Sequence, residues 1–212
     1  MVIASEGLGP RGRAKRDQIL TGGRRVFLRD GFAGASTDAI AAQAGVSKRT
    51  LYAYYPSKED LFVHVLRRLT IENPQSRVLA TVEEMSLGSR EELRRDLVEL
   101  AQKMLGVMMQ PDYLALLRTI IADVPRFPHL GALFRSTVPE RGFRAISALI
   151  GRAQERGIVR DDVDEEAATR MFAGSLVTYA LLDGLFVIEG PPRPPAPERI
   201  EKIVDLYMKA IA

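Results

Sequence analysis

The chain has no cysteine and only two histidines among its 212 residues. Disulfides and thiolate metal sites are thereby excluded, and a transition-metal sensor would be short of its usual ligands. No apolar run approaches the roughly 20 residues that a membrane span requires, and the N-terminus lacks the apolar stretch of a signal peptide. The expected location is therefore the cytoplasm, with no membrane partner. Also missing are a Ser/His/Asp arrangement with a nucleophile motif, a Gly-rich phosphate loop and a cluster of metal ligands, which argues against an enzyme. Neither a cofactor nor a metal is expected. Beyond about residue 71 there are no alternating, strand-like segments and no internal repeat. The fold class expected is all-α, with length for one small module and one larger helical domain.

The most informative stretch is the run from Gly45 to Phe62. Gly45 supplies a position where positive φ carries no steric penalty, as the elbow between two crossed helices requires. Ser47 can cap the next helix through its hydroxyl, and Pro56 ends that helix by disfavouring a helical conformation at Tyr55. Ser57 caps again, and Glu59 and Asp60 complement the positive end of the helix that follows. Between the caps lie two cations and three tyrosines. With Leu51 and Tyr55 pointing inward, Lys48, Arg49, Thr50, Tyr52 and Tyr54 face outward as donors suited to phosphate oxygens and base edges. A polar, solvated surface helix is the plainer reading, but three tyrosines in a basic setting speak against it.

Upstream, Ser36-Thr37-Asp38 opens an alanine-rich helix that ends at the Gly45 elbow, with Ala41 and Ala44 small enough for close crossing. Before it, residues 13–30 place Ile19, Val26 and Phe27 at helical spacing and stop at Gly31. The order is long helix, short helix, turn, short basic helix, long helix. In this order and in Thr37, Ala41-Ala42, Ala44-Gly45-Val46-Ser47, Leu51-Tyr52, Tyr54-Tyr55, Ser57-Lys58-Glu59 and Leu61-Phe62, residues from about 13 to 70 resemble the DNA-binding domain of the TetR family of bacterial transcriptional regulators.

Carried over position by position, the resemblance implies that Thr37, Lys48, Tyr52 and Lys58 hold phosphates, while Arg49, Thr50 and Tyr54 lie nearest base edges. Arg49 is the first candidate for direct readout, since a guanidinium can pair with both O6 and N7 of guanine; a second phosphate clamp is the alternative. Three features depart from the family pattern. Gly22-Gly23 falls mid-helix, where each glycine costs roughly 1 kcal/mol relative to alanine. Tyr55 replaces the commoner phenylalanine, so its hydroxyl needs water or a partner. Ala53 stands where a larger or polar side chain is usual. Charge agrees with the assignment: residues 1–70 hold twelve basic side chains against six acidic ones, in a chain whose net charge is only +3. Such a surplus is the footprint of a polyanion site.

The implied organisation is a flexible basic arm over 1–12, a helix-turn-helix DNA-binding domain over 13–56, a connecting helix over 57–73, and a ligand-binding and dimerisation domain over 74–212. The arm has a minor groove as a conceivable target, with plain mobility the simpler expectation. Candidate helices run near 57–72, 76–85, 89–109, 111–123, 127–135, 138–157, 164–188 and 197–211, broken at prolines and glycines. In the family the last two helices pair across a twofold axis. That places Gly174, Thr178, Leu182, Ile203, Leu206 and Tyr207 in a homodimer interface, with completion of the monomer core as the alternative. The family's effector cavity would be lined here by Leu97, Ala101, Met104, Leu105, Met108, Tyr113, Leu117, Ile121, Phe134, Phe143, Ile146, Phe172 and Tyr179, a set that plain core packing explains as well. Arg118, Asp123, His129 and His64 are the polar groups to follow. The function implied is a dimeric repressor released from a palindromic operator by a small, largely apolar effector. An architectural or cell-cycle DNA-binding protein of the same fold, without an inducer, is the alternative.

Overall fold

Caps and prolines write the helix starts of this chain. Ser36, Ser47, Ser57, Ser89 and Asp164 each accept, through a side-chain oxygen, the amide three residues on. Prolines open five further helices, at positions whose missing amide hydrogen would have no helical partner. The computed structural model describes residues 9–70, 72, 78–137 and 139–212. Among these the secondary structure is wholly helical: α1 (Pro10–Gly34), α2 (Thr37–Gln43), α3 (Lys48–Tyr54), α4 (Lys58–Leu69), α5 (Val78–Glu84), α6 (Arg90–Met108), α7 (Pro111–Asp123), α8 (Pro128–Thr137), α9 (Pro139–Glu155), α10 (Glu165–Tyr179), a π-helical turn (Ala180–Leu185) and α11 (Pro197–Ile211). Of the expected arm, residues 1–8 lie outside the described residues, whereas 10–12 already belong to α1. Residues 76 and 77 of the expected 76–85 helix also lie outside them. The expected stop at Gly31 is a kink, with φ 71° and ψ 177°, after which one more turn reaches Gly34.

The chain divides into two compact units, the first comprising 1–69 with 115–137 and the second 70–114 with 138–212. The division runs through α7, and it groups 115–137 with the N-terminal segment by contact. The physical reason is burial: Leu116, Ile120 and Leu130 are at most 3% exposed in the same core as Phe27, Phe32 and Phe62. Those three rings form a cluster, with Phe62 edge-on to Phe27 at 5.0 Å and to Phe32 at 5.1 Å. The Asp123 carboxylate accepts the Ala33 amide at 3.0 Å, tying the end of α7 to the kinked end of α1.

The Gly22-Gly23 pair acquires a reason in this unit. A Cβ on Gly22 would lie 2.7 Å from the Ala44 Cβ and 2.8 Å from its Cα, so α1 and the end of α2 cross too closely for any side chain. The helix-propensity cost is real, and the close crossing is what it secures.

The second unit is built on the inward faces of α6, α9, α10 and α11, where Leu97, Ile150, Phe172 and Val204 are fully or almost fully buried. Its loop between α5 and α6 places Leu87 at φ 53°, a left-handed conformation unusual for a branched residue. Burial of the Leu87 side chain and donation from the Arg156 guanidinium to the carbonyls of Ser86 and Leu87 hold it there.

Candidate nucleic-acid interface

Gly45 turns the chain between α2 and α3 at φ 62°, and the Val46 amide closes the elbow on the Ala41 carbonyl at 3.0 Å. Gln18 of α1, which the sequence reading passed over, braces the same turn by donating to the Ala44 carbonyl at 2.5 Å. α3 then buries Leu51, and Tyr55 follows it inward, as the i, i+4 spacing requires. The Tyr55 hydroxyl is buried without a well-aligned partner, and burial pushes it up to about 12 despite the nearby Arg16 charge.

The outward face of α3 is coupled to the start of α2. Lys48 Nζ lies 3.0 Å from the Asp38 carboxylate, whose hydrogen bond and charge hold the ammonium above its usual range. The Tyr52 hydroxyl donates to Thr37 Oγ1 at 3.4 Å, with the tyrosine 43% exposed. Thr50 Oγ1 shares a 2.8 Å hydrogen bond with the Ser47 hydroxyl that caps the helix. Tyr54 is half-buried against the core of the unit. Arg49 is exposed and has no hydrogen-bond or ion-pair partner among the described residues. Thr37, Lys48, Arg49, Thr50 and Tyr52 therefore share one surface, where ammonium, guanidinium, hydroxyl and phenol donors can meet phosphates and base edges.

Lys58 is tied into its own unit. Its ammonium donates to the Phe32 carbonyl at 2.8 Å and to the Ala35 carbonyl at 3.0 Å, and sits 4.3 Å from the centre of the Phe32 ring. These bonds satisfy carbonyls left over at the end of α1 and occupy two of the three ammonium donors. His64 packs edge-on against Tyr55 at 5.2 Å, and His129 packs against Phe32 and Phe127 with Glu59 3.9 Å away, so both serve packing.

The candidate effector residues fall in both units. Leu97, Ala101, Leu105, Ile146 and Phe172 are buried in the core of the second, with Met104, Met108 and Tyr179 packed against it and Tyr113 buried nearby in sequence at the start of α7. Burial pushes the Tyr113 hydroxyl up to about 12. Phe143 is half-buried, with the Arg170 guanidinium 5.8 Å from its ring. Leu117, Ile121 and Phe134 belong to the first unit: Phe134 packs on its core and Ile121 is exposed. The structure therefore does not bring all thirteen into one unit.

The candidate dimer residues also separate. Gly174, Thr178, Leu182 and Leu206 are exposed and Ile203 is half-buried. Tyr207 is only 4% exposed and packs its ring 5.2 Å from Phe172, because α11 turns that side of the helix into its own core. Exposed alongside them are Met171, Val177, Leu181, Phe186 and Ile188, the last at 90%. The second unit thus leaves several large apolar side chains between Met171 and Leu206 open to solvent. The expected single helix over 164–188 is α10 followed by the π-helical turn, where a Cβ on Gly184 would lie 3.1 Å from Leu114 and Met109 atoms. Among the described residues no helix is long and apolar enough to cross a membrane.

Residues 19–65 match the family described as bacterial regulatory proteins, tetR family, and residues 95–210, more than half of the chain, match the AefR-like transcriptional repressor C-terminal domain. The HTH-type transcriptional regulator RutR of Escherichia coli strain K12 is 45% identical over 56 residues, which span 26% of this chain and 26% of that protein's length. The HTH-type transcriptional repressor NicS of Pseudomonas putida is 27% identical over 172 residues, covering 77% of this chain and 74% of NicS. Among solved structures, the flavonoid-responsive regulator FrrA superposes with a TM-score of 0.66 at 28% identity, over 94% of this chain and 97% of that one.

Proposed function

This chain belongs to the TetR family of transcriptional regulators, and from that premise we propose that it is a cytoplasmic repressor that binds a palindromic operator as a homodimer and leaves it when a small, largely apolar effector binds. The observation that carries the reading is the face formed by α2 and α3. It holds an exposed Arg49, without a partner among the described residues, beside Lys48, Tyr52 and Thr37, on a helix capped by Ser47 and turned by Gly45. One such face reads one half-site, and two related by a twofold axis read half-sites about 34–36 Å apart. The exposed apolar residues of α10, the π-helical turn and α11 supply the surface through which the copies pair. Repression is favoured by the name of the matched C-terminal domain and by NicS. Half-buried Met104, Met108, Phe143 and Tyr179 favour an apolar effector. FrrA, a flavonoid-responsive relative, supports the same class of ligand. An effector needs to separate the two states by only about 1–3 kcal/mol, and α4, next to α3 in sequence, is the helix whose shift would carry the recognition face off operator spacing.

Selection of genomic fragments with the purified chain tests this. The expected result is a palindrome near a promoter, bound with steep salt dependence and released by an apolar member of a broad compound panel. Dispersed sites bound without sequence preference would contradict operator recognition. Unchanged operator affinity across the panel would contradict induction.

A further inference from the structure

Asp38 lies in the first turn of α2, where an acid complements the helix N-terminus. The geometry gives it a second task. Both carboxylate oxygens approach Lys48 Nζ, Oδ1 at 3.0 Å and Oδ2 at 3.1 Å, although the two side chains are 74% and 50% exposed. An ion pair this open to water contributes little to stability. On a surface that meets a polyanion it also has a cost, because the carboxylate cancels the charge that Lys48 would offer and repels approaching phosphates. Asp38 is also one residue from Thr37, whose hydroxyl receives the Tyr52 phenol, so the pair sits among the proposed contacts.

We propose that Asp38 is a specificity-determining residue of the DNA face, holding Lys48 neutralised toward DNA in general and oriented for one phosphate of the correctly docked operator. An ammonium carries three donors and can keep a carboxylate while giving another hydrogen to a phosphate oxygen. That sharing needs contact distance and fixed register, which base contacts by Arg49 provide on the operator. On random DNA, affinity comes from net charge and counterion release, and there the pair contributes almost nothing. The carboxylate thus lowers non-specific binding more than specific binding. This inference rests on the reading that α2 and α3 face DNA.

The test measures binding of wild type, Asp38→Asn, Lys48→Gln and the double variant to a random-sequence duplex and to the palindrome recovered by fragment selection, at several salt concentrations. Asp38→Asn is expected to tighten binding to the random duplex by about threefold to tenfold at low salt, with a salt slope steeper by about one. The operator should gain less, and the gain on random DNA should vanish in the Lys48→Gln background. Equal gains on both duplexes, no gain, or a gain that survives Lys48→Gln would overturn the assignment. Arg49→Ala is measured alongside: if it leaves palindrome binding unchanged, the DNA-face reading itself fails, whereas its loss together with an inert Asp38→Asn overturns the Asp38 role alone.

Discussion

The two units leave surfaces of contrasting chemistry unfinished. The first buries its aromatic cluster and presents cations, hydroxyls and a phenol on α2 and α3. The second buries a larger aliphatic core yet leaves Leu182 57%, Phe186 66% and Leu206 68% exposed. A donor-rich face gains energy from a polyanion, and a bare apolar face gains it from another apolar face. Under the proposed function, the first unit would specify what the molecule meets, and the second how many copies meet it.

The sharpest way to break that comparison is to charge the apolar face. Leu182→Glu with Leu206→Glu should give a monomer by sedimentation and cost about a hundredfold or more in operator affinity, while leaving helical content intact. A dimer that persists would move the contact elsewhere. On the first unit, Arg49→Ala should weaken binding to the operator by about 1–3 kcal/mol and leave random-DNA binding much less affected. A uniform loss on all duplexes would make Arg49 a phosphate clamp. Gly22→Ala isolates the packing of the first unit. Helix propensity alone would favour alanine by about 1 kcal/mol, but the 2.7 Å approach to Ala44 should reverse the sign and cost about 1–3 kcal/mol in urea unfolding.

Gly22 shows where reading the sequence stopped. The propensity cost was visible within the helix, but the contact that justifies it lies 22 residues away at Ala44. Lys58 is a second instance: the family resemblance implies a phosphate contact there, and only the fold shows its ammonium also bonding the Phe32 and Ala35 carbonyls at the end of α1. By contrast the Ser47 cap, the positive φ at Gly45 and the inward Leu51 and Tyr55 were legible, because turn and cap chemistry acts at short, fixed offsets. The second unit offered only helical periodicity. Periodicity marks an apolar stripe without saying whether it meets its own core or a partner, so Tyr207 was grouped with Leu206 although the two face different surroundings. It also could not show that α8 packs with the N-terminal helices, where Phe134 lies against the core.

The smallest effects compare one buried phenol from each unit. The Tyr55 and Tyr207 hydroxyls are both buried without a well-aligned hydrogen-bond partner, and burial raises both above the ordinary tyrosine value. Tyr55→Phe and Tyr207→Phe should each be neutral or stabilising by up to about 1 kcal/mol. A loss of about 2 kcal/mol at either site would reveal a hydrogen bond formed in solution, through water or a shifted neighbour.

The most direct test of the central claim is a fluorescence-anisotropy titration of wild type and Arg49→Ala against the recovered palindrome and a scrambled duplex, with stoichiometry read by sedimentation. The expected result is an even number of chains per palindrome, at least a tenfold preference over the scrambled duplex, and loss of most of that preference in Arg49→Ala. Single-chain binding, or equal affinity for both duplexes that Arg49→Ala leaves unchanged, would contradict it.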